Sequence, residues 1–133
     1  MQIKYEYGLS PKEQTYLRLQ LEIAGVVDET SRMFYWASQV NNDKSDRFSV
    51  ETADALYDIM SRGRDHTEIM VRCYYQSRKQ CIHNFELNKI KIWASEVNNH
   101  INLYRGFYRT QVKNAMETIE RCFEEITSNE WVR

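Results

Sequence analysis

The residues of this chain best suited to chemistry are arginines and lysines interleaved with aromatic side chains. Residues 62–91 hold seven basic residues against three acids, and residues 103–114 hold another three basic residues among tyrosine and phenylalanine. Arginine can contact phosphates while aromatic rings stack on bases, so the pattern is one that proteins use to bind nucleic acids. The candidates for such contacts are Arg62, Arg64, Arg72, Lys79, Arg105, Arg109, Lys113, Tyr104 and Tyr108.

The same residues also fit a purely structural interpretation. Arg72, Lys79 and His83 recur at the spacing of one exposed stripe on a helix, and the aromatic residues of 104–108 recur at core spacing. The net charge of −1 argues against a general polyanion binder, although it leaves room for a local basic patch. Both interpretations stay open at this point.

A second set of residues could support acid–base catalysis. The segment 78–83 places Arg78 and His83 with four residues between them. A histidine can transfer protons, and an arginine can stabilise the charge of a phosphorane. In a small all-α chain this spacing resembles the R-x4-6-H motif of the HEPN ribonucleases. The resemblance implies a metal-free RNA-cleaving site shared by two protomers, with Arg78 and His83 as its residues; two surface residues without a catalytic role are the alternative.

We expect neither a cofactor nor a metal site. The sequence has no glycine-rich phosphate loop, nucleophile elbow or dinucleotide fingerprint. Glu96 and His100 are one residue too far apart for the Glu-x-x-His pairs of a carboxylate-bridged metal bundle. The cysteines Cys73, Cys81 and Cys122 are odd in number and lack framework spacing, which indicates reduced thiols and a cytoplasmic location.

The elements that must position these residues are helices. Residues 64–127 contain no proline and one glycine, and apolar residues recur there at steps of three and four. Four glycines and one proline in 133 residues leave little turn material for an all-β fold. We predict a single all-α domain, residues 1–133, built as a bundle of three or four long antiparallel helices. The alternating residues 1–9 are predicted to form a short extended N-terminal arm.

The helix boundaries follow from caps and breakers. The first helix is predicted over residues 11–41, with Pro11 in its first turn. Its core-facing seam, at alternating steps of three and four, is predicted to be Tyr16, Leu19, Ile23, Val26, Thr30, Met33, Ala37 and Val40. A second long helix is predicted from the cap residue Ser49 to about residue 82, with Gly63 inside it at a cost of about 1 kcal/mol. A third helical stretch runs on to residue 126, and Asn98-Asn99 could divide it into two helices.

The last helical turns are acidic, which works against the helix dipole. This end is therefore expected to face a basic partner or the N-terminus of another helix. The protein-binding candidates are Tyr5, Tyr7, Glu124, Glu125 and Trp131.

The function that we predict is that of a small, cytoplasmic, non-enzymatic interaction protein. It would act as an adaptor or inhibitor by recognising a partner protein, as a monomer or a homodimer and without a membrane. In composition it is similar to accessory proteins of phages and mobile elements. A nucleic-acid-binding accessory protein acting on RNA or DNA is the alternative, and a HEPN-like metal-independent ribonuclease is the third hypothesis.

Overall fold

The computed structural model describes residues 11–39, 48–77 and 84–128, and four α-helices make up most of them. The helices are α1, Pro11–Gln39; α2, Val50–Ser77; α3, Asn84–Asn99; and α4, Gly106–Ser128; a 3₁₀ turn, Ile101–Leu103, lies between the last two. These ranges contain no strand. The prediction of an all-α bundle is therefore confirmed, with four helices in the described ranges. The predicted arm, residues 1–9, lies outside them.

Helix α1 is the centre of the bundle, and its neighbours run antiparallel to it. At one end the Thr15 hydroxyl lies 2.7 Å from a carboxylate oxygen of Glu125, near the end of α4. At the other end the hydroxyls of Thr30 and Tyr104 lie 2.7 Å apart, just before α4 begins. The Tyr16 hydroxyl donates to the backbone carbonyl of Met70 in α2 at 2.8 Å. The backbones of α2 and α4 approach α1 closely along its length, whereas α3 is set further out.

The buried face of α1 is the one that its apolar spacing predicts. The predicted seam residues in the described range are all buried: Tyr16, Leu19, Ile23, Val26, Thr30, Met33 and Ala37. Most of them belong to one core cluster to which all four helices contribute. A stripe at alternating steps of three and four stays on one side of a helix, so burial of that stripe fixes the rotation of α1 in the bundle.

The start of α2 and the end of α3 follow local sequence signals. The Ser49 hydroxyl accepts a hydrogen bond from the Thr52 backbone N–H at 3.1 Å, which caps the first turn of α2. Helix α3 ends at Asn99, where the sequence offered a break, and Gly106 opens α4 with a positive φ of 39°. Glycine adopts that backbone conformation without the steric cost that a Cβ adds. None of the helices in the described ranges has both the length and the apolar character that a membrane crossing needs.

Candidate functional site

Tyr104 belongs to the core rather than to a nucleic-acid surface. Its exposed fraction is 0%, and its hydroxyl pairs with that of Thr30. Burial raises the pKa of the Tyr104 phenol to about 12, although the hydrogen bond with Thr30 works in the opposite direction. A ring enclosed in this way cannot stack on a base, so Tyr104 is not a nucleic-acid contact in this fold.

Replacing Tyr104 with phenylalanine tests that structural role. The change keeps the ring but removes the hydroxyl that meets Thr30, and we expect it to lower the free energy of unfolding by about 1 kcal/mol. Urea denaturation followed by circular dichroism measures the loss. Tyr108→Phe is the matched control, because the Tyr108 ring is only partly buried. Equal losses for the two variants would contradict the assigned role of the Tyr104 hydroxyl.

Two of the predicted nucleic-acid contacts are instead used by the fold. Arg62 Nη1 donates to the carboxylates of Asp58 and Glu96, which ties α2 to α3. Desolvation lowers the pKa of Arg62, but its two carboxylate partners raise it by more, so the guanidinium stays charged. Arg109 donates to the carbonyls of Tyr104 at 2.9 Å and Asn102 at 3.1 Å, which holds the turn before α4. Phosphate binding by either arginine would have to compete with these bonds.

The basic candidates are spread over several regions of the surface. Arg62 points toward α3, whereas Arg72 lines a shallow groove with Gln20 and Ala24 of α1. Arg105 belongs to a third region, where its guanidinium lies 4.4 Å from the centre of the Phe48 ring. Two further candidates, Arg64 and Lys113, are exposed on α2 and α4. Lys79 and the proposed catalytic residues Arg78 and His83 lie outside the described residues.

The acidic end of α4 divides between two directions. Glu125 accepts a bond from Thr15, and its carboxylate lies 3.6 Å from Arg18, so it faces the first turns of α1. This is one of the two arrangements that the sequence predicted for acids against the dipole. Glu124 is exposed and lines a groove of about 620 Å³ between α3 and α4, together with Glu120. The other protein-binding candidates, Tyr5, Tyr7 and Trp131, lie outside the described residues.

Sequence reasoning missed a set of exposed aromatic side chains at one end of the bundle. Tyr35 is 67% exposed, Trp36 56% and Phe107 66%. We call these three residues, together with Phe48 and Tyr108 beside them, the aromatic end. The available signal was the helical position of the two residues: Trp36 lies at the border of the apolar seam of α1, and Tyr35, two residues from both Met33 and Ala37, lies on the opposite face. An aromatic residue off the seam is a candidate for a surface contact.

Helical geometry places Trp36 and Phe107 on the same seam between α1 and α4. Trp36 lies 18 residues after Arg18, and Phe107 lies 18 residues before Glu125. Eighteen residues make five full turns of an α-helix, so each aromatic residue repeats the angular position of its charged counterpart. The Arg18–Glu125 ion pair marks that seam at one end, and Trp36 and Phe107 therefore flank it at the other.

Neighbouring contacts hold the aromatic end in place. The Phe48 ring packs edge-to-face on Phe34 with centroids 5.6 Å apart, and Arg105 covers the Phe48 ring. The rings of Phe107 and Tyr108 pack edge-to-face at 5.9 Å. Edge-to-face rings and a stacked guanidinium each add directional attraction beyond area burial. Exposed rings are thus presented on fixed backbone rather than on long loops.

A second site lies in a cleft between α2 and α3. Its volume is about 310 Å³, and His66 forms part of its lining. His66 is only 9% exposed, and its Nδ1 is enclosed without a hydrogen-bond partner. Its ring packs edge-to-face on Trp93 with centroids 6.3 Å apart. The charged residues that line the cleft are Arg62, Asp65, Glu86 and Lys89.

This cleft favours the neutral form of His66. Burial lowers the pKa of the imidazole; the Glu86 charge raises it, Arg62 lowers it, and burial dominates. Within the described ranges no three histidine, cysteine or acidic side chains are grouped to hold an ion, at this cleft or elsewhere. What the cleft offers is one buried group that can change charge near neutral pH.

The lowered pKa of His66 predicts a loss of stability in acid. The unfolded chain takes up a proton near the ordinary histidine pKa of about 6.5, while the folded chain resists it until lower pH. The contribution of neutral His66 to the free energy of unfolding is therefore fully present above about pH 6.5, and it is lost as the pH falls toward the lowered pKa. We expect His66→Gln to reduce the difference in unfolding free energy between neutral and mildly acidic buffer, as measured by urea denaturation. His100→Gln should leave the difference unchanged, and a wild-type difference in both variants would contradict the prediction.

Comparison of the chain with models of protein families, with curated proteins and with solved structures gives no match. The surfaces of the chain itself must therefore carry any functional proposal. Of these surfaces, the aromatic end combines exposed large rings with neighbouring contacts that fix them. The predicted nucleic-acid contacts, by comparison, are separated: Tyr104 lies in the core, Arg109 holds the turn before α4, and the other described candidates lie in different regions of the surface.

Proposed function

We propose that this chain is a non-enzymatic interaction protein that recognises a partner protein through its aromatic end. The observation that supports the proposal is the exposure of both Trp36 and Phe107, which helical periodicity assigns to one seam between α1 and α4. Tryptophan and tyrosine are enriched at the centres of protein interfaces, where a few large side chains supply most of the binding free energy. Trp36 and Phe107, two exposed rings from adjacent helices, form such a set.

Rigidity of the site favours recognition of this kind. Association costs conformational entropy for every side chain and loop that becomes ordered on binding. Trp36 and Phe107 are carried on helices whose opposite faces are buried, so the backbone beneath them is already ordered. A partner surface with apolar side chains that enclose the two rings would complement this arrangement.

The engagement of other residues favours protein over nucleic acid as the partner. A stacking platform needs exposed rings beside cations that can reach phosphates. Tyr104 is enclosed, and Arg62 and Arg109 are hydrogen-bonded to carboxylates or backbone carbonyls. Of the nine nucleic-acid contacts that the sequence suggested, seven basic residues and two tyrosines, these three therefore have internal roles.

Site-specific crosslinking tests the proposed surface. A photoreactive benzoyl-phenylalanine at position 36 or 107 is expected to capture a partner protein, which mass spectrometry then identifies. The same probe at Leu21 is the control, because Leu21 is as exposed as these rings but lies about four turns from Trp36 along α1. A partner captured equally from all three positions would count against the aromatic end.

Alanine substitutions then test the contribution of each ring to affinity. With the captured partner purified, Trp36→Ala and Phe107→Ala are each expected to weaken binding by about tenfold or more, which corresponds to about 1.4 kcal/mol. Isothermal titration calorimetry measures the change, and Leu21→Ala, the control, should stay within about twofold of wild type. Unchanged affinity in both ring variants would refute the proposal. A salt-sensitive gel shift of RNA that Lys113→Ala and Arg64→Ala weaken would favour the nucleic-acid alternative instead.

A further inference from the structure

The α2–α3 cleft holds a titratable group that recognition at the aromatic end does not use. His66 is nine-tenths buried, and Nδ1 has no hydrogen-bond partner. Among the residues that the structure describes, its aromatic ring contact is the edge-to-face packing on Trp93. A buried polar group normally has a hydrogen-bond partner. Because Nδ1 has none, the imidazole is held only weakly in its buried position. The adjoining cleft of about 310 Å³ gives the side chain room to move.

The energy scale limits what protonation of His66 can do. The inner face of α3 is formed by Leu87, Ile90, Trp93 and Val97, each at most 2% exposed. Burial of each such side chain contributes about 1.5–3 kcal/mol, so removing α3 from the bundle is far beyond the effect of one proton. Any response to acid must therefore be local to the cleft.

The charges around the cleft favour a position for an imidazolium on its solvent side. From α2 the facing groups are Arg62 and Asp65, and from α3 they are Glu86 and Lys89. Arg62 is already paired with Asp58 and Glu96, so much of its charge is balanced. Asp65 and Glu86 already favour the charged form of His66 in its buried position, but burial outweighs them there. An imidazolium that moved between Asp65 and Glu86 would keep both opposite charges and regain water.

We propose that protonation of His66 opens the α2–α3 cleft locally, with the imidazolium leaving its seat on Trp93 for the solvent side between Asp65 and Glu86. The movement uncovers the indole edge of Trp93. The indole itself stays in place, because its Nε1 donates to the Ile59 carbonyl at 2.9 Å. The α2–α3 cleft thus opens in acid and exposes the Trp93 indole at its base. This device is independent of the proposed recognition at the aromatic end.

Fluorescence quenching of Trp93 provides the test. The double variant Trp36→Phe, Trp131→Phe leaves Trp93 as the single tryptophan of the chain. Its acrylamide quenching constant is expected to rise by about twofold or more from neutral to mildly acidic buffer. The opening equilibrium of a one-proton device changes by at most about tenfold per pH unit, which sets the upper limit of the rise. Far-ultraviolet circular dichroism should stay constant over the same range, which distinguishes local opening from global unfolding.

Two variants in this background identify the group responsible. His66→Gln should abolish the acid-induced rise, and His100→Gln should retain it. A rise that survives in His66→Gln, or no rise in the parent, overturns the proposal. If His66→Gln does not fold, an NMR titration of the parent replaces it: the His66 ring signals and the solvent exchange of the Trp93 indole N–H must change with one midpoint. Titration of His66 without a change at Trp93 also overturns the proposal.

Discussion

Trp93→Ala is expected to lower the free energy of unfolding by about 3–5 kcal/mol, the usual cost of truncating a fully buried large aromatic residue. Trp93 has an exposed fraction of 0% and lies where α3 meets α2. Its indole N–H bonds the Ile59 carbonyl, and its ring packs on His66 and approaches Gly63 closely. The alanine variant loses the hydrogen bond, the apolar burial and the packing together.

Trp36→Ala is the matched control for this prediction, because it deletes the same side chain from a site that is 56% exposed. Its cost in stability is expected to be about 0.5 kcal/mol or less, as for most surface substitutions. Urea denaturation of both variants, followed by circular dichroism, measures the difference. Similar losses would show that burial does not distinguish the two tryptophans. The pair also separates roles, since Trp36→Ala should impair partner binding while leaving the fold intact.

The architecture of the bundle was predictable because it depends on repeated, local information. The seam of α1 from Tyr16 to Ala37 follows helical spacing, and every seam residue in the described range is buried. The cap at Ser49 and the break at Asn98-Asn99 are short-range signals that need only neighbouring residues. Many apolar residues that share one helical period together make a strong prediction of a helix. The single break at Asn98-Asn99, by contrast, left three and four helices both open.

The candidate sites depended on information that periodicity does not contain. Tyr104 and Phe107 are three residues apart and both aromatic, yet one is enclosed and the other exposed, because the chain turns between them before α4 begins. Arg62 is held by Glu96, a residue 34 positions away on another helix. Such pairings follow from the packing of whole helices, so the sequence predicted which residue types could act but not which of them were already engaged.

Gly63→Ala is expected to destabilise the protein by about 1–3 kcal/mol through overpacking, although alanine is the better helix former by about 1 kcal/mol. A Cβ at this position would lie 2.7 Å from Val27 Cγ2 and 2.9 Å from Trp93 Cζ2, closer than such atoms normally approach. Neither neighbour yields easily, because a β-branched side chain in a helix has one preferred rotamer and the indole is hydrogen-bonded to Ile59. The glycine inside α2 is therefore explained by the close approach of three helices.

Gly25→Ala provides the control, and it should have the opposite sign. Gly25 also lies inside a long helix, but a Cβ built there meets no other atom within 4 Å, so only the propensity gain of up to about 1 kcal/mol remains. Urea denaturation of the two variants should place their midpoints on either side of wild type. Two stabilised variants would mean that α1, α2 and α3 can separate slightly at no cost. Gly63 lies against the same indole that His66 covers. Two stabilised variants would therefore also show that the side chains lining the α2–α3 cleft can adjust to an added methyl group. Stability changes of opposite sign would show that they are tightly packed.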